Sequence, residues 1–566
     1  MSNEQTRLAI LIINESFGDV VEKVTAYLLK HGDSSLLEMI RGAGLKPNKV
    51  RKALCVLIQH QLCEYAPHKS GAMLYRVNIA HILLRARFPR YIHVAKATFG
   101  DVGELIVEDI LRNGQSLMSQ ASSIQRVGER LESAGVEIND IGGEVRQQFL
   151  ALVRGHYLHR VPRPNADLLA TGDVTSDMPL AQDRFQPPST EGIQFNSRKR
   201  KREEAGDEAR PPDVKKAKNQ DSMEEPEAKR RKGHEDVADR TVMVCCFRKY
   251  NIVLFVYIKP TQAVDAGIFW HVNHCRFHQQ FRDEAIVSIA VEKINETAAC
   301  VMRAALSASQ NQVEWGRSSS IGPEIYSLQI EDKLSGHPKL SSKELDQYLH
   351  GLVDDQIQFL RRTGDSGGGS YTVNFGHLAD VLCQSTIESI VRERFGNKCL
   401  RVFRLLLLKK TLEQKQVADL AMVPSKEAKE LLYSLLSENY ITLQEIPKAG
   451  DYAPARTFYL FSVDLPQLAR LLLERCYQAL GNLMQRRATE MKKNKRLLEK
   501  FHEYEAQQLG NSQREEADEL LTPAEKDTIQ VVKRVISKIE RGELQMDHTI
   551  FTLSNYIDSH SNPPVV

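Results

Sequence analysis

The stretch Gly364-Asp365-Ser366-Gly367-Gly368-Gly369 sets a serine in a glycine-rich frame, where its hydroxyl could serve as a nucleophile. Such a serine needs a histidine base, a buried aspartate to orient that base, and a rigid β scaffold around all three. Here the stretch stands between FLRR and SYTVNF in a largely helical neighbourhood, with no matching His and Asp motifs. Its glycines are better suited to the positive φ angles of a hairpin loop. His271, His274, Cys275 and His278 in HVNHCRFHQQF are metal-ligating types, and on one helix His271, Cys275 and His278 would share a face. Structural zinc takes four ligands at defined spacing, normally with a second pair elsewhere. The cluster therefore reads as packing or surface histidines. The sequence holds no phosphate-cradling GxxxxGKS/T, no GxGxxG after a strand, and no compact group of aspartates for catalytic magnesium. The expectation is a chain that is not an enzyme, with no catalytic, cofactor-binding or metal-binding residue.

Cations suggest a different chemistry. Lys46, Lys49, Arg51 and Lys52, then Lys343, then Lys426 and Lys429 gather around three similar helices, and Arg361, Arg362 and Arg456 fall in or near the hairpins that follow. Lys and Arg so placed can neutralise nucleic-acid phosphates without reading sequence. Acidic Asp354, Asp355, Glu427 and Glu430 are interspersed, so contact with protein competes with contact with DNA at each helix.

These positions depend on a repeated unit. Apolar residues recur at i, i+4, i+7, i+8 and i+12 four times: Val50 to Leu62, Val145 to Tyr157, Leu345 to Ile357 and Ala428 to Tyr440. The first four positions make one face of a three-turn helix. A short helical stretch and a polar turn precede it (KPNK, LSSKE, VPSKE), with capping-box spacing at Ser341 and Glu344. Two β-type runs joined by a polar loop follow it. Helix, turn, helix and hairpin make a winged helix. Three copies are clear; in the second, HYLHRVPRP breaks into prolines before a hairpin is complete.

The fold class expected is mainly α with small β-hairpins (α+β), a tandem of four winged helices followed by a C-terminal coiled-coil helical hairpin. The divisions are residues 1–82, 83–165, 267–378 and 379–466 for the four copies, with a linker at 166–266. The linker is rich in proline and charge and is expected to be disordered. Its clusters Arg198, Lys199, Arg200, Lys201 and Arg202, then Lys215, Lys216 and Lys218, are spaced like a split nuclear-import signal. VMVCCFRKYNIVLFVYIKP within it is anomalously apolar and β-prone, either an added strand or an unusual splice product. Residues 467–521 step by threes and fours as a coiled-coil helix, and 522–566 are expected to pack back, opening on a capping box at Thr522 and Glu525. Leu468, Leu472, Leu483, Leu498 and Phe501 mark a seam that would dock this hairpin on a partner.

Nine scattered cysteines with no C-x-x-C pair argue for a reducing compartment. The N-terminal residues lack a secretory pattern, and no apolar run is long enough for a membrane span.

Together with KALCVLIQHQL, PRYIHVAK, GELIVEDIL, RFHQQFRDEAIV, TGDSGGG and EQKQVADLAMVPSKEAKELLYSLLSENYITLQEIPK, this arrangement resembles the winged-helix (third-numbered) subunit family of eukaryotic DNA-directed RNA polymerase III, which is related to TFIIE alpha. The likeness runs through nearly the whole chain, is most specific from Glu413 to Phe461, and fails over 242–264. It implies a non-catalytic nuclear subunit that joins two other polymerase-III-specific subunits. That subcomplex docks on the clamp of the polymerase core, works with the initiation factors, and assists promoter recognition and DNA opening for synthesis of tRNA, 5S rRNA and other small RNAs. It also implies a link to sensing of cytosolic DNA in innate immunity and antiviral defence. Contact with promoter DNA would be largely independent of sequence, single- or double-stranded. The competing reading is a free-standing winged-helix regulator that reads duplex DNA; its second helices should then carry Arg, Asn or Gln aimed at bases, whereas these carry Lys and Glu.

Overall fold

The structure, a computed structural model, describes residues 2–67, 73–116, 141–161, 185, 243–247, 253–257, 268–310, 321–334, 340–365, 368–448, 457–508 and 522–561. In chain order it runs α1 (Asn3–Phe17), α2 (Asp19–His31), β1 (Ser34–Ser35), α3 (Leu36–Ala43), α4 (Pro47–Gln59), β2 (Cys63–Pro67), β3 (Met73–Val77), α5 (Ile79–Leu84) and α6 (Phe88–Asn113). Next come α7 (Ile141–Arg154), β4 (Leu158–Arg160), β5 (Met243–Phe247), β6 (Val253–Tyr257), β7 (Trp270–Val272), α8 (His274–Lys293), α9 (Glu296–Gln310), β8 (Ile325–Tyr326), α10 (Ser327–Leu334), α11 (Ser342–Asp354), β9 (Leu360–Gly364) and β10 (Ser370–Val373). The chain ends with α12 (Phe375–Lys409), β11 (Thr411–Glu413), α13 (Gln414–Ala421), α14 (Ser425–Ser437), β12 (Thr442–Pro447), β13 (Thr457–Ser462), α15 (Leu465–Lys493), α16 (Lys495–Gln508) and α17 (Pro523–Ser561). The whole is mainly helical with small antiparallel sheets, as expected.

Three sheets share one topology, β1-β3-β2, β8-β10-β9 and β11-β13-β12. In each, a short strand before the helix-turn-helix pairs with the second wing strand, which pairs with the first. Local chemistry sets the helix starts. Capping boxes form at Ser35 with Glu38, Ser341 with Glu344, and Glu413 with Gln416. Three copies also begin at a glycine break: Gly18, Gly100 and Gly396 sit at φ 82°, 74° and 85° with ψ near 180°. Residues with side chains scarcely adopt that backbone. A Cβ there would meet nothing within 4 Å, so conformation rather than space demands glycine.

After the second helix the chain turns back through a residue with positive φ: Gln61, His156, Gln358 and Asn439. The next side chain then enters the core: Leu62, Tyr157, Phe359 and Tyr440, each at most 3% exposed. The third copy departs from the expected spacing. Ile357 was assigned that place, but Asp355 and Gln356 lengthen the turn, and Phe359, two residues on, fills it.

By contacts the chain forms two compact units, one holding Met1–Val94 and Asn273–Val566, the other Ala95–Asn165 and Asp173–Val272. In the second unit the wing left incomplete by HYLHRVPRP is finished from across the linker. Strand β7 pairs antiparallel with β4 (Leu158↔Val272, His159↔His271, Arg160↔Trp270) and bridges Ser116. Residues 268–272 thus pair with the second copy, not with the third where the break at 267 had put them. Strands β5 and β6 of the apolar insert pair with each other, Met243 opposite Tyr257.

In the first unit one core joins residues of α1, α2, α12, α15 and α17, among them Leu8, Ile13, Ile387, Leu472 and Leu553. Gly481 of α15 faces α1: a Cβ there would stand in ordinary contact, 3.6 Å from Leu11 Cδ1. A separate core serves the third copy through Met302, Leu349, Phe359 and Tyr371. The terminal hairpin differs from the expected continuous helix. Helix α15 stops at Lys493, Asn494 breaks it, and α16 resumes, whereas α17 is one helix of 39 residues. It opens on the expected box, Thr522 N–H donating to Glu525 Oε2 at 3.1 Å.

Candidate nucleic-acid and docking interfaces

The helix-turn-helix of each copy buries one face of its second helix and leaves the other outward. On α4, Val50, Leu54 and Leu57 are buried while Lys49, Arg51 and Lys52, with Lys46 at the N-cap, are exposed. On α11 Lys343 is exposed beside Glu344 and Asp346. On α14 Lys426 and Lys429 are exposed, and Glu427 is paired with Lys398. Arg361 and Arg362 lie exposed on β9, where Arg362 contacts Asp365 at 2.6 Å. The cations thus belong to separate copies. Arg456 and the eight import-type cations, Arg198 to Arg202 with Lys215, Lys216 and Lys218, lie outside the described residues.

The GDSGGG stretch is the loop of the third wing, between β9 and β10, and Gly368 and Gly369 adopt positive φ. Ser366 lies outside the described residues. The histidines are divided by secondary structure: His271 is in strand β7, so it does not share a helical face with Cys275 and His278, which lie on α8. Among the described residues no group of His, Cys, Asp or Glu has the geometry to hold a metal ion. Burial pushes the thiols of Cys63 and Cys383 up to about 12 and Cys476 up to about 11, so these sulfurs stay protonated at neutral pH.

The seam leucines face inward. Leu468 and Leu472 are 2% and 3% exposed in the core shared with α1. Leu483 is half-buried, close to Gly542 of α17. Leu498 and Phe501 are also half-buried, and the Lys533 ammonium lies 3.5 Å from the Phe501 ring centre. Arg487 ties the layers together, binding Glu543 on α17 at 2.9 Å and Glu15 on α1 at 2.6 Å. This apolar stripe is spent on packing within the chain.

A buried ionic cluster fixes α17. Asp547 Oδ1 accepts from Arg87 Nε and its Oδ2 from Arg90 Nη1, both at 2.9 Å. His278 Nε2 accepts from Arg87 Nη1 at 3.2 Å and from the Tyr91 hydroxyl at 2.8 Å. The Arg90 guanidinium stacks over Phe281 at 4.0 Å. Sequence reasoning missed this cluster; the only local hint is an aspartate inside the apolar stripe of α17.

Burial, with Arg87 and Arg90 alongside, holds the His278 imidazole down to about 3, and burial lowers His548 as well. Both folded values lie below the unfolded one, so the unfolded chain binds more protons between about pH 3 and 6.5. That stability is fully present above 6.5 and is lost as pH falls, at about 1.4 kcal/mol per unit for one histidine. Between pH 6 and 5 the wild type should therefore lose about 1 kcal/mol more than His278→Gln in urea denaturation; parallel curves would show that His278 does not titrate on unfolding.

Comparison with known proteins decides the family. The model of the RNA polymerase III subunit RPC82 matches residues 147–382, and its helix-turn-helix domain matches 7–68. The POLR3C C-terminal winged-helix domain matches 387–463, and the RPC3 helical hairpin domain matches 496–552. DNA-directed RNA polymerase III subunit RPC3 of Bos taurus is 37% identical over 99% of both chains; those of Homo sapiens and Danio rerio are 36% and 38% identical over the same shares. This chain belongs to the RPC3 family. The RPC82 match at 147–382 crosses the linker, as the β4–β7 pairing does.

Proposed function

We propose that this chain is an accessory, non-catalytic subunit of nuclear RNA polymerase III. In this reading it joins two polymerase-III-specific partners, docks on the clamp of the core, cooperates with the initiation factors, and assists promoter recognition and DNA opening. What carries the reading is likeness to RPC3 proteins from end to end at more than a third identity. Four winged helices supply protein- and DNA-facing surfaces, and the terminal hairpin supplies a docking arm. In the same reading the assembled polymerase also takes part in sensing cytosolic DNA. Nuclear import through Arg198–Arg202 and Lys215–Lys218 accords with it.

Because Leu468 and Leu472 are buried against α1, the hairpin docks through its outward residues near Asn494. There Met491, Lys492, Lys493, Lys495 and Arg496 are exposed. Deleting 467–566 would uncover the α1 core, so surface substitution is the cleaner probe. Tagged full-length chain should bring down the polymerase III subunits from nuclear extract. Met491→Asp with Lys492→Glu and Arg496→Glu should reduce recovery of the core about tenfold, on the order of one 1.4 kcal/mol step, without changing thermal stability. Recovery of no polymerase subunit by the wild type would instead favour a free-standing DNA-binding regulator.

A further inference from the structure

We infer that among the four winged helices the first alone presents a nucleic-acid-contacting second helix, a sequence-independent phosphate clamp, and that the third and fourth copies do not share this task. The inference rests on the polymerase reading above and sharpens it.

The copies can be compared position by position, because each second helix has a buried anchor in the same place: Val50, Val145, Leu345 and Ala428, at most 4% exposed. Four residues before the anchor, one before, one after and two after, the first copy carries Lys46, Lys49, Arg51 and Lys52. The second carries Ile141, Glu144, Arg146 and Gln147; the third, Ser341, Glu344, Asp346 and Gln347; the fourth, Pro424, Glu427, Lys429 and Glu430. Only the first is cationic at every position, and α4 holds no carboxylate at all. In the third copy the Glu344 carboxylate caps its own helix, accepting from Ser341 N–H at 2.9 Å, and Asp346 stands beside it. A polyanion approaching α11 meets repulsion where α4 offers attraction.

The directions favour nucleic acid over an acidic peptide. At about 100° per residue, Lys49 and Arg51 project from opposite flanks of α4, about 160° apart, with Lys52 between them on the outward side. An α-helix about 10–12 Å across fills a major groove about 12 Å wide and has a phosphate backbone on either hand. Cations on both flanks suit those two rails, whereas a peptide lying along the helix would be met by one flank. Asn48 and Gln59 are the only amide side chains on α4, too few to make it a strong base reader.

The test measures salt dependence with the full-length chain and a fluorescein-labelled 30-base-pair duplex of arbitrary sequence. Each phosphate neutralised contributes about 0.9 to the slope of log K against log salt. Lys46→Gln, Lys49→Gln, Arg51→Gln and Lys52→Gln together should flatten that slope by about 3.6, so that between 50 and 200 mM salt the wild type loses on the order of 10²-fold more affinity than the variant. The same substitutions at Lys343, Arg361 and Arg362 should leave the slope unchanged. All four α4 positions are exposed, and circular dichroism of the variant should match the wild type. An unchanged slope in the α4 variant, or an equal loss from the third-copy variant, overturns the inference. Loss of polymerase subunits from a pull-down of the α4 variant at unchanged slope also overturns it and makes α4 a protein-facing surface. Failure of the wild type to bring down the polymerase would count against the parent reading and leave the slope as an independent answer.

Discussion

Replacing Asp547 by alanine is expected to cost about 3–5 kcal/mol of stability, the usual penalty for stranding buried charge by removing one partner. The carboxylate is 3% exposed and is shared by two arginines, of which Arg87 is itself 8% exposed. Once the carboxylate is gone, water does not readily reach Arg87, and its second contact, His278, is held neutral and offers an acceptor but no charge. Arg90 is better placed, since it lies over the Phe281 ring and can turn outward. The loss should therefore fall mainly on Arg87 and loosen α17 from the segment before α6. Urea denaturation followed by circular dichroism at pH 7.5 measures it. The triple change Arg87→Met, Arg90→Met and Asp547→Leu should regain most of the loss, because packed apolar side chains need no compensation for desolvation. A loss below about 1 kcal/mol in Asp547→Ala would mean that solvent enters the cluster.

That cluster marks the limit of what the sequence discloses. The first, third and fourth winged helices were legible because each is local: the apolar spacing, the capping pairs and the turn before the wing all describe one unit, whereas the second takes its last strand from beyond the linker. GDSGGG was legible as a wing loop for the same reason, since two glycines at positive φ serve a hairpin and need no distant partner. Long-range choices leave no such trace. Arg87 and Asp547 are 460 residues apart, and nothing in either neighbourhood names the other. The leucine stripe of α15 announces that something must cover it, but not that the cover is α1 of the same chain. The third copy shows how a local rule slips: one apolar residue at the expected step, Ile357, drew the assignment, while a longer turn placed Phe359 in the core. The candidate cations were legible as residue types. The repeat already aligned the copies at Val50, Val145, Leu345 and Ala428; burial of those four residues adds that the flanking cations of the first copy face outward.

The longest-range feature of the fold yields the other large effect: Trp270→Ala should cost about 3–5 kcal/mol, as removal of a buried large aromatic does, and the cost should be felt in the second unit. Trp270 is fully buried and meets Phe149 edge to face, with ring centres 5.6 Å apart. The Arg160 guanidinium lies over the Trp270 ring at 5.5 Å. Its backbone exchanges hydrogen bonds with Ser116, N–H to oxygen at 2.9 and 3.1 Å. One residue from beyond the linker thus joins the strand, the helix and the edge of the second winged helix. Without its side chain, α7 loses the partner of Phe149, and β4 is left to pair with a strand that no longer anchors in the core. Hydrogen exchange should show this directly, with amides of 145–160 losing protection by on the order of 10²–10³-fold, while α11 and α14 keep theirs. Trp270→Phe should cost less than about 1.5 kcal/mol: it keeps the ring against Phe149 and removes an indole N–H that is buried with no hydrogen-bond partner among the described residues. If Trp270→Ala left exchange in 145–160 unchanged, the wing would be complete without β7, and the second copy would end before the linker as the prolines of HYLHRVPRP first suggested.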